Sequence, residues 1–173
     1  MKTPFAIALL LALAAPSSTA TGVANGDWAS ARLEWAMSAY HKGEYRTARR
    51  GFQRLAEHGS AIAETMLGVM YAKGQGVRVS QAVAAGWFHR AASRGYGPAQ
   101  IALSDAFARG HGVSRDIDDA YFWALAATTG GDRSAEAPGR IRVKALGESL
   151  SPETRAEIDE AVHNWRPRAQ RQR

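Results

Sequence analysis

Apolar residues recur along this chain at the spacing that places them on one face of a helix. Within 63–71, alanine, leucine, methionine and tyrosine stand at i, i+4, i+7 and i+8. Within 84–91, alanine, tryptophan, phenylalanine and alanine stand at i, i+3, i+4 and i+7. Both spacings predict an amphipathic α-helix. Since Gly74, Gly76 and Val77 separate the two segments, the pattern predicts a pair of helices joined by a turn.

The pattern returns after 36 residues, so that 99–134 repeats 63–98. Ten positions are identical in this register, where about three would be expected by chance in a chain of this composition. In the first repeat these are Ala63, Leu67, Ala72, Gly74, Gly76, Val77, Ala84, Trp87, Ala91 and Gly95. Each helix pair then has a face that only its neighbour can cover, which is typical of a solenoid. We therefore expect Trp87 and Trp123 to pack in the core.

Glycine and short polar residues mark the predicted ends of these helices. Gly74 and Gly110 follow the first helix of each repeat and suit a helix C-cap with positive φ. Ser80 and Asp116 precede the second helix of each repeat and suit its N-cap. The boundaries of both helices are thus predicted by residues next to them in the chain.

A shortened form of the repeat precedes the two regular ones. In 27–62, a helix over about 28–41 is followed by a second helix in register with 84–91. Five residues of the glycine-rich turn are missing between them. We interpret 27–62 as a degenerate N-terminal unit.

A second irregular unit, 135–166, follows the regular repeats. Pro138 and Gly139 interrupt the helical pattern, so that helices are predicted only for 139–147 and 152–165. Because the end of a solenoid faces water, we interpret this unit as a C-terminal cap.

The first twenty residues have the pattern of a secretory signal peptide. Lys2 supplies a positive charge, residues 5–15 are apolar, and Ser18, Thr19 and Ala20 form a small-residue cleavage site. A helix of this length crosses only about half of the ~30 Å hydrocarbon core, so we predict no transmembrane segment in the mature chain. The mature protein is expected to begin with a short linker, 21–26, and to be periplasmic or secreted.

Charge is concentrated at one end of the chain. The formal net charge is +6, and four arginines lie in the last eight residues. This places an Arg-rich tail at 167–173, whereas the body of the protein is nearly neutral. A basic tail on an exported chain is not the basic groove of a nucleic-acid-binding protein, so we expect no nucleic-acid partner.

The two central repeats resemble Sel1-like repeats, the longer relatives of tetratricopeptide repeats. The resemblance rests on Leu-Gly-x-x-Tyr, Gly-x-Gly-Val, Ala-x-x-Trp and Ala-Ala at their spacings in 63–134. It implies an all-α fold, a right-handed superhelix of antiparallel helix pairs in which the first helix of each pair lines a concave surface. It also implies a role as an adaptor or scaffold in protein complexes, often in bacterial envelopes.

Residue sets that carry catalysis are missing from the sequence. No two of the five histidines are three or four residues apart, so a zinc site on one helix is not predicted. Some secreted relatives of the cysteine-rich kind have been linked with β-lactam hydrolysis, but this chain has no cysteine and no Ser-x-x-Lys, Ser-Asp-Asn or Lys-Thr-Gly motif. We therefore predict a protein that is not an enzyme and needs no cofactor or metal.

Two surfaces are candidates for binding. The first is the expected concave face, at positions opposite the packing stripe of each first helix. These positions are Glu34, Ser38, Thr65, Val69, Ile101 and Asp105. The second is a basic stripe on the second helix of the first unit, at Arg46, Arg49, Arg50 and Arg54. A peptide or helix of a partner would suit the first surface, and an anionic group the second.

The sequence leaves three functional hypotheses. The first is an exported scaffold that binds another protein of the cell envelope through its concave face. The second is a module that binds cell-wall glycan, such as peptidoglycan, or an anionic envelope surface through the basic stripe. The third, a β-lactamase-like hydrolase, has no residues to support it.

Overall fold

The computed structural model describes residues 27–167, apart from the side chain of Asp27. Within this range the chain forms eight α-helices and no strand. The helices are α1 (Asp27–His41), α2 (Tyr45–Glu57), α3 (Ala61–Lys73), α4 (Gln81–Ser93), α5 (Gly97–Arg109), α6 (Ile117–Thr129), α7 (Arg133–Gly147) and α8 (Pro152–Asn164). The predicted signal peptide, the linker 21–26 and the tail from residue 168 onwards lie outside the described residues.

The helices are stacked in consecutive pairs, as predicted. In the pairs α1–α2, α3–α4 and α5–α6 the two helices pack on each other, and each pair packs on the next. The odd-numbered helices α3, α5 and α7 also lie side by side, and we call the surface that they form the odd-helix face. The fold is therefore an all-α solenoid of helix pairs. None of the helices between residues 27 and 167 is long and apolar enough to span a membrane.

The helix ends in both repeats confirm the predicted caps. The Ser80 hydroxyl accepts a hydrogen bond from the Val83 N–H at 3.3 Å. Asp116 Oδ1 accepts one from the Asp119 N–H at 3.0 Å. At the other ends, Gly74 and Gly110 have φ angles of 71° and 68°, which residues other than glycine rarely adopt.

Two apolar clusters form the core. The first joins α1, α2 and α3 through buried residues such as Phe52, Leu55 and Leu67. The second includes Leu103, Trp123 and Val162, with many alanines that allow the helices to approach closely. The core position expected for Trp123 is confirmed.

Trp87 is less buried than Trp123. Its ring packs against the first cluster but is only partly buried. The Arg90 guanidinium lies 4.6 Å from the centre of this ring, a cation–π contact. The predicted core position is therefore confirmed for Trp123, whereas Trp87 packs at the edge of the first cluster and stays partly exposed.

The prediction that a helix starts only at residue 139 is wrong. The helix α7 begins at Arg133, where Asp132 accepts a hydrogen bond from the Ser134 N–H, and it continues through Pro138. The buried Ala135 anchors this first turn, and Gly139 lies so close to α6 that an added Cβ would be 2.7 Å from Thr128 Cγ2. Packing against α6 thus outweighs the hydrogen bond that the proline removes.

The C-terminal unit differs from the regular pairs in how its last helix packs. The helix α8 starts after the Ser151 cap, as predicted, but it packs mainly on α6. The face of α7 that would be covered in a regular pair carries Glu136 and Arg140, which form an exposed ion pair. The equivalent positions in α5, Gln100 and Ser104, are fully buried. The polar face of α7 therefore ends the solenoid, as a capping unit requires.

Candidate binding groove between α3 and α5

A groove of about 370 Å³ lies on the odd-helix face between α3 and α5, with α4 as its floor. Most of the side chains that line it are small or apolar. They are Val69, Ala72, Ala84, Ala85, Phe88, Ala102 and Ala106. An apolar groove between helices suits the apolar side chains of a partner peptide or helix.

The rim of the groove is basic. Lys73, Arg109 and His111 line it, and within residues 27–167 neither Lys73 nor Arg109 forms an ion pair. Lys73 and Arg109 are the last residues of α3 and α5, so they stand 36 residues apart at equivalent positions. The groove therefore presents two unpaired cations next to an apolar floor.

The one carboxylate in the lining of this groove is neutralised by α7. Arg142 Nε and Nη2 donate to the two oxygens of Asp105 at 2.8 and 2.7 Å. This hydrogen-bonded contact raises the pKa of Arg142. Because the guanidinium binds both oxygens of Asp105, the groove keeps the positive charge of its rim.

Two of the six residues predicted for the concave face lie in this groove. Val69 and Asp105 line it directly. Thr65 and Ile101, one turn earlier on the same helices, are half-buried, and the Thr65 hydroxyl donates to the Ala61 carbonyl at 2.8 Å. These four residues share the α3–α5 region, although only the first two reach the groove.

The other predicted residues lie outside the groove. Glu34 and Ser38 are exposed on α1. Arg46 and Arg50 are exposed on α2, whereas Arg49 is half-buried and donates to Gln53 at 3.2 Å. The basic stripe is therefore separate from the groove, since none of its residues is among those that line it.

The sequence interpretation missed the basic rim, although a signal for it was present. Lys73 and Arg109 are in the same register as the ten identical positions, but they are different amino acids and so do not count as identities. A comparison of charge instead of identity in that register would have found them. The Asp105–Arg142 pair had no such signal, because it depends on how α7 packs on α5 and joins residues 37 positions apart.

A larger cleft of about 740 Å³ lies between α6, α8 and residues 165–167. Leu125 and Trp165 supply apolar wall, and Arg94 and Asp159 bring charges of both signs. The Tyr121 hydroxyl donates to Asp159 at 3.5 Å, and burial, followed by the charge of Asp159, raises the pKa of that tyrosine. Because its walls carry charges of both signs, this cleft indicates the charge of a ligand less clearly than the α3–α5 groove does.

The sequence matches a known repeat family at the centre of the solenoid. Residues 61–96 and 97–132 each match the Sel1 repeat, and each match begins two residues before the repeat boundary expected from spacing. These matched segments contain the helix pairs α3–α4 and α5–α6. No curated protein matches the chain in sequence.

Solved structures share this fold, and two of them are examples. A protective antigen of uropathogenic Escherichia coli with an SLR fold is 24% identical and aligns with a TM-score of 0.72 over 81% of this chain and 30% of its own. A Sel1 repeat protein from Oxalobacter formigenes is 26% identical and aligns with a TM-score of 0.56 over 62% of this chain and 46% of its own. The chain thus spans less than half the length of either protein. The chain thus contains two Sel1 repeats at its centre and shares its fold with these proteins.

Proposed function

We propose that this protein is an exported scaffold that binds a protein of the cell envelope through the groove between α3 and α5. Sel1 repeats generally mediate protein–protein interaction. The observation that carries the proposal is the apolar groove with Lys73 and Arg109 unpaired at its rim among the described residues. The predicted signal peptide supports export.

The chemistry of the groove indicates the kind of segment that it binds. Its alanine-rich floor leaves room for short apolar side chains, and the two cations at the helix C-termini favour carboxylates beside them. The ligand is therefore an acidic segment with small apolar side chains. The same face continues onto α7, where Ile141 stands 36 residues after Asp105 and is 70% exposed.

Photo-crosslinking in intact cells tests the binding site. A crosslinker at Ala102 in the groove is expected to capture a discrete envelope protein, and one at the exposed Glu148 after α7 is not. Reversing the charge of the rim with Lys73→Glu and Arg109→Glu is expected to abolish the crosslinked adduct at Ala102. The matched control Lys42→Glu and Arg78→Glu makes the same charge change at exposed positions outside the groove and is expected to leave the adduct intact. An adduct that forms equally well after the rim charge is reversed would contradict the proposal.

Export is tested separately. Mass spectrometry of protein isolated from its native cells is expected to find an N-terminus at Thr21, and cell fractionation is expected to recover it outside the cytosol. An intact Met1 terminus in the cytosolic fraction would contradict the envelope role, while leaving the groove as a binding site for a cytosolic partner.

A second candidate function is binding to an anionic cell-wall glycan through α2. The observation that favours it is that Arg46 and Arg50 are exposed and have no ion pair within residues 27–167. Cosedimentation with purified peptidoglycan is expected to depend on Arg46, Arg49 and Arg50 if this function is correct. Sedimentation that is unchanged when all three are replaced by glutamine would exclude it.

A further inference from the structure

The N-terminal end of the solenoid is aromatic instead of polar. Trp28 and Trp35 lie two turns apart on α1 and are 37% and 51% exposed. Together with Ala31, Arg32 and Arg54 they line a groove of about 420 Å³. Since the ends of a solenoid usually carry polar side chains, two exposed tryptophans at one end indicate a surface that becomes covered.

The register between α1 and α3 shows what this surface would contact. Tyr40 and Tyr71 end the two packing stripes 31 residues apart, and in the same register the buried Ala36 corresponds to the buried Leu67. Trp35 then corresponds to Met66, and Arg32 to Ala63.

Ala63 and Met66 belong to the cluster in which α3 packs on the preceding even-numbered helix, α2. The Trp28–Trp35 groove is therefore the place where α1 would receive a preceding even-numbered helix. Its occupant should be a helix that packs on α1 as α2 packs on α3.

The last even-numbered helix, α8, has an outer face that complements this groove. Glu157 and Glu160 are exposed on it, beside the exposed Ala156 and Ala161. Within residues 27–167 neither glutamate forms an ion pair. Alanines leave room for tryptophan rings to lie against the helix, and the glutamates oppose the cations of the groove.

Two arginines line the Trp28–Trp35 groove. Arg32 and Arg54 have no ion pair among the described residues, and Arg54 is exposed. The Trp28–Trp35 groove and the outer face of α8 thus carry opposite charges, beside aromatic side chains in the first and small ones in the second.

We propose that the protein associates head to tail with a second copy of itself, with α8 of one copy seated in the Trp28–Trp35 groove of the next. In this contact α8 of one copy packs on α1 of the next copy. It is a heterologous contact, so it can continue beyond two copies as concentration rises. It leaves the α3–α5 groove free, and it does not depend on the function proposed for that groove.

Sedimentation velocity of the purified protein over a range of concentration and salt tests this association. We expect a sedimentation coefficient that rises with concentration and falls with added salt, because the apposed charges are exposed. Arg32→Glu with Arg54→Glu, and separately Glu157→Arg with Glu160→Arg, are each expected to weaken self-association at least about tenfold through like-charge contacts.

Mixing the two variants makes the test specific for the two surfaces. Each variant alone places like charges together, whereas in the mixture the basic α8 of one variant meets the acidic groove of the other. We therefore expect association to return on mixing. A structural effect of the substitutions would not be reversed by mixing.

The rim variant Lys73→Glu with Arg109→Glu is the matched control, since it makes the same charge change as the α1–α2 variant in the α3–α5 groove. It is expected to self-associate like the original chain. A protein that stays monomeric at all concentrations, or variants that do not restore association when mixed, would overturn the proposal. Binding of a different protein or of a glycan at the Trp28–Trp35 groove, without self-association, would overturn it as well.

Discussion

Glu64 and Gln100 occupy the same position in the two Sel1 repeats, 36 residues apart, and both side chains are fully buried. Glu64 is ionically paired: Arg94 Nε donates to its Oε2 at 3.2 Å, and the Arg90 guanidinium lies 3.1 Å from its Oε1. In the second repeat the positions of these two arginines, 126 and 130, hold alanine and glycine. The buried carboxylate thus occurs in the first repeat, which also supplies the two arginines that pair with it. This agrees with the high cost of burying an unpaired charge.

Arg94→Ala is expected to lower the free energy of unfolding by about 1–3 kcal/mol, because it leaves one oxygen of a buried carboxylate without its donor. Urea denaturation followed by circular dichroism measures the change. The control Glu64→Gln keeps the shape and an acceptor oxygen, as Gln100 does in the next repeat, and is expected to cost less. Equal losses for the two variants would contradict this account of the pair.

Gln100→Glu places an unpaired carboxylate at a buried position and is expected to destabilise the protein by about 3–5 kcal/mol. Adding Gly130→Arg should recover more than half of that loss. The backbone allows this, since Gly130 has φ −75° and ψ −2° and Arg94 has φ −85° and ψ −4°. If the double variant is no more stable than Gln100→Glu alone in urea denaturation, the equivalence of the two sites is wrong.

The turn after α5 depends on a glycine for two reasons. Gly112 has φ +79°, and a Cβ on it would lie 2.1 Å from the Gln81 carbonyl oxygen. Gly131 has a similar φ of +78°, but no atom lies within 4 Å of its added Cβ. Gly131→Ala is expected to cost about 1–2 kcal/mol from backbone strain alone. Gly112→Ala should cost about 1–3 kcal/mol more from the collision. Thermal unfolding of the two variants separates strain from packing.

Two helical glycines are expected to respond to alanine in opposite directions. Gly86 lies within α4 with no atom within 4 Å of an added Cβ, whereas a Cβ on Gly68 would lie 2.5 Å from the Phe88 ring. Gly86→Ala should stabilise the protein by about 0.5–1 kcal/mol, because alanine loses less conformational entropy in a helix. Gly68→Ala should destabilise it by about 1–3 kcal/mol. A destabilised Gly86→Ala variant in thermal unfolding would show that this part of α4 is not open.

Asp119 is expected to titrate above the ordinary range of an aspartate. Partial burial is the largest cause that raises its pKa, and repulsion from Asp116 and Asp118 adds to it, while His89 opposes both. Asp118→Asn should lower the pKa of Asp119 without returning it to the ordinary value, because the effect of burial remains. Side-chain NMR titration of the two proteins measures this.

The raised pKa of Asp119 also determines how its contribution to stability changes with pH. Because its pKa is higher in the folded state than in the unfolded state, the folded protein takes up this proton first as pH falls. The contribution of Asp119 to stability therefore rises as pH falls from its raised folded-state pKa towards the ordinary aspartate value. The stability difference between the original chain and Asp119→Asn should follow that trend in denaturation at several pH values. A difference that does not change with pH would contradict the raised pKa.

Much of the regular part of the fold could be predicted from sequence because it depends on neighbours in the chain. The caps at Ser80 and Asp116 act within one helical turn, and Gly74 and Gly110 follow from the need for positive φ. The 36-residue period then placed each helix pair against an equivalent one. Part of the candidate groove followed in the same way, since Val69 and Asp105 lie on it as the helical spacing indicated.

Contacts between distant residues decided the rest. The start of α7 depends on how closely Gly139 approaches α6, and the charge of the groove depends on Arg142 reaching Asp105 across 37 positions. The exposure of Trp28 and Trp35 depends on how α1 packs on α2. Sequence by itself determined the repeat, its turns and its caps, because these are local. Only the tertiary structure decided which side chains meet across helices, because that depends on how closely the helices pack.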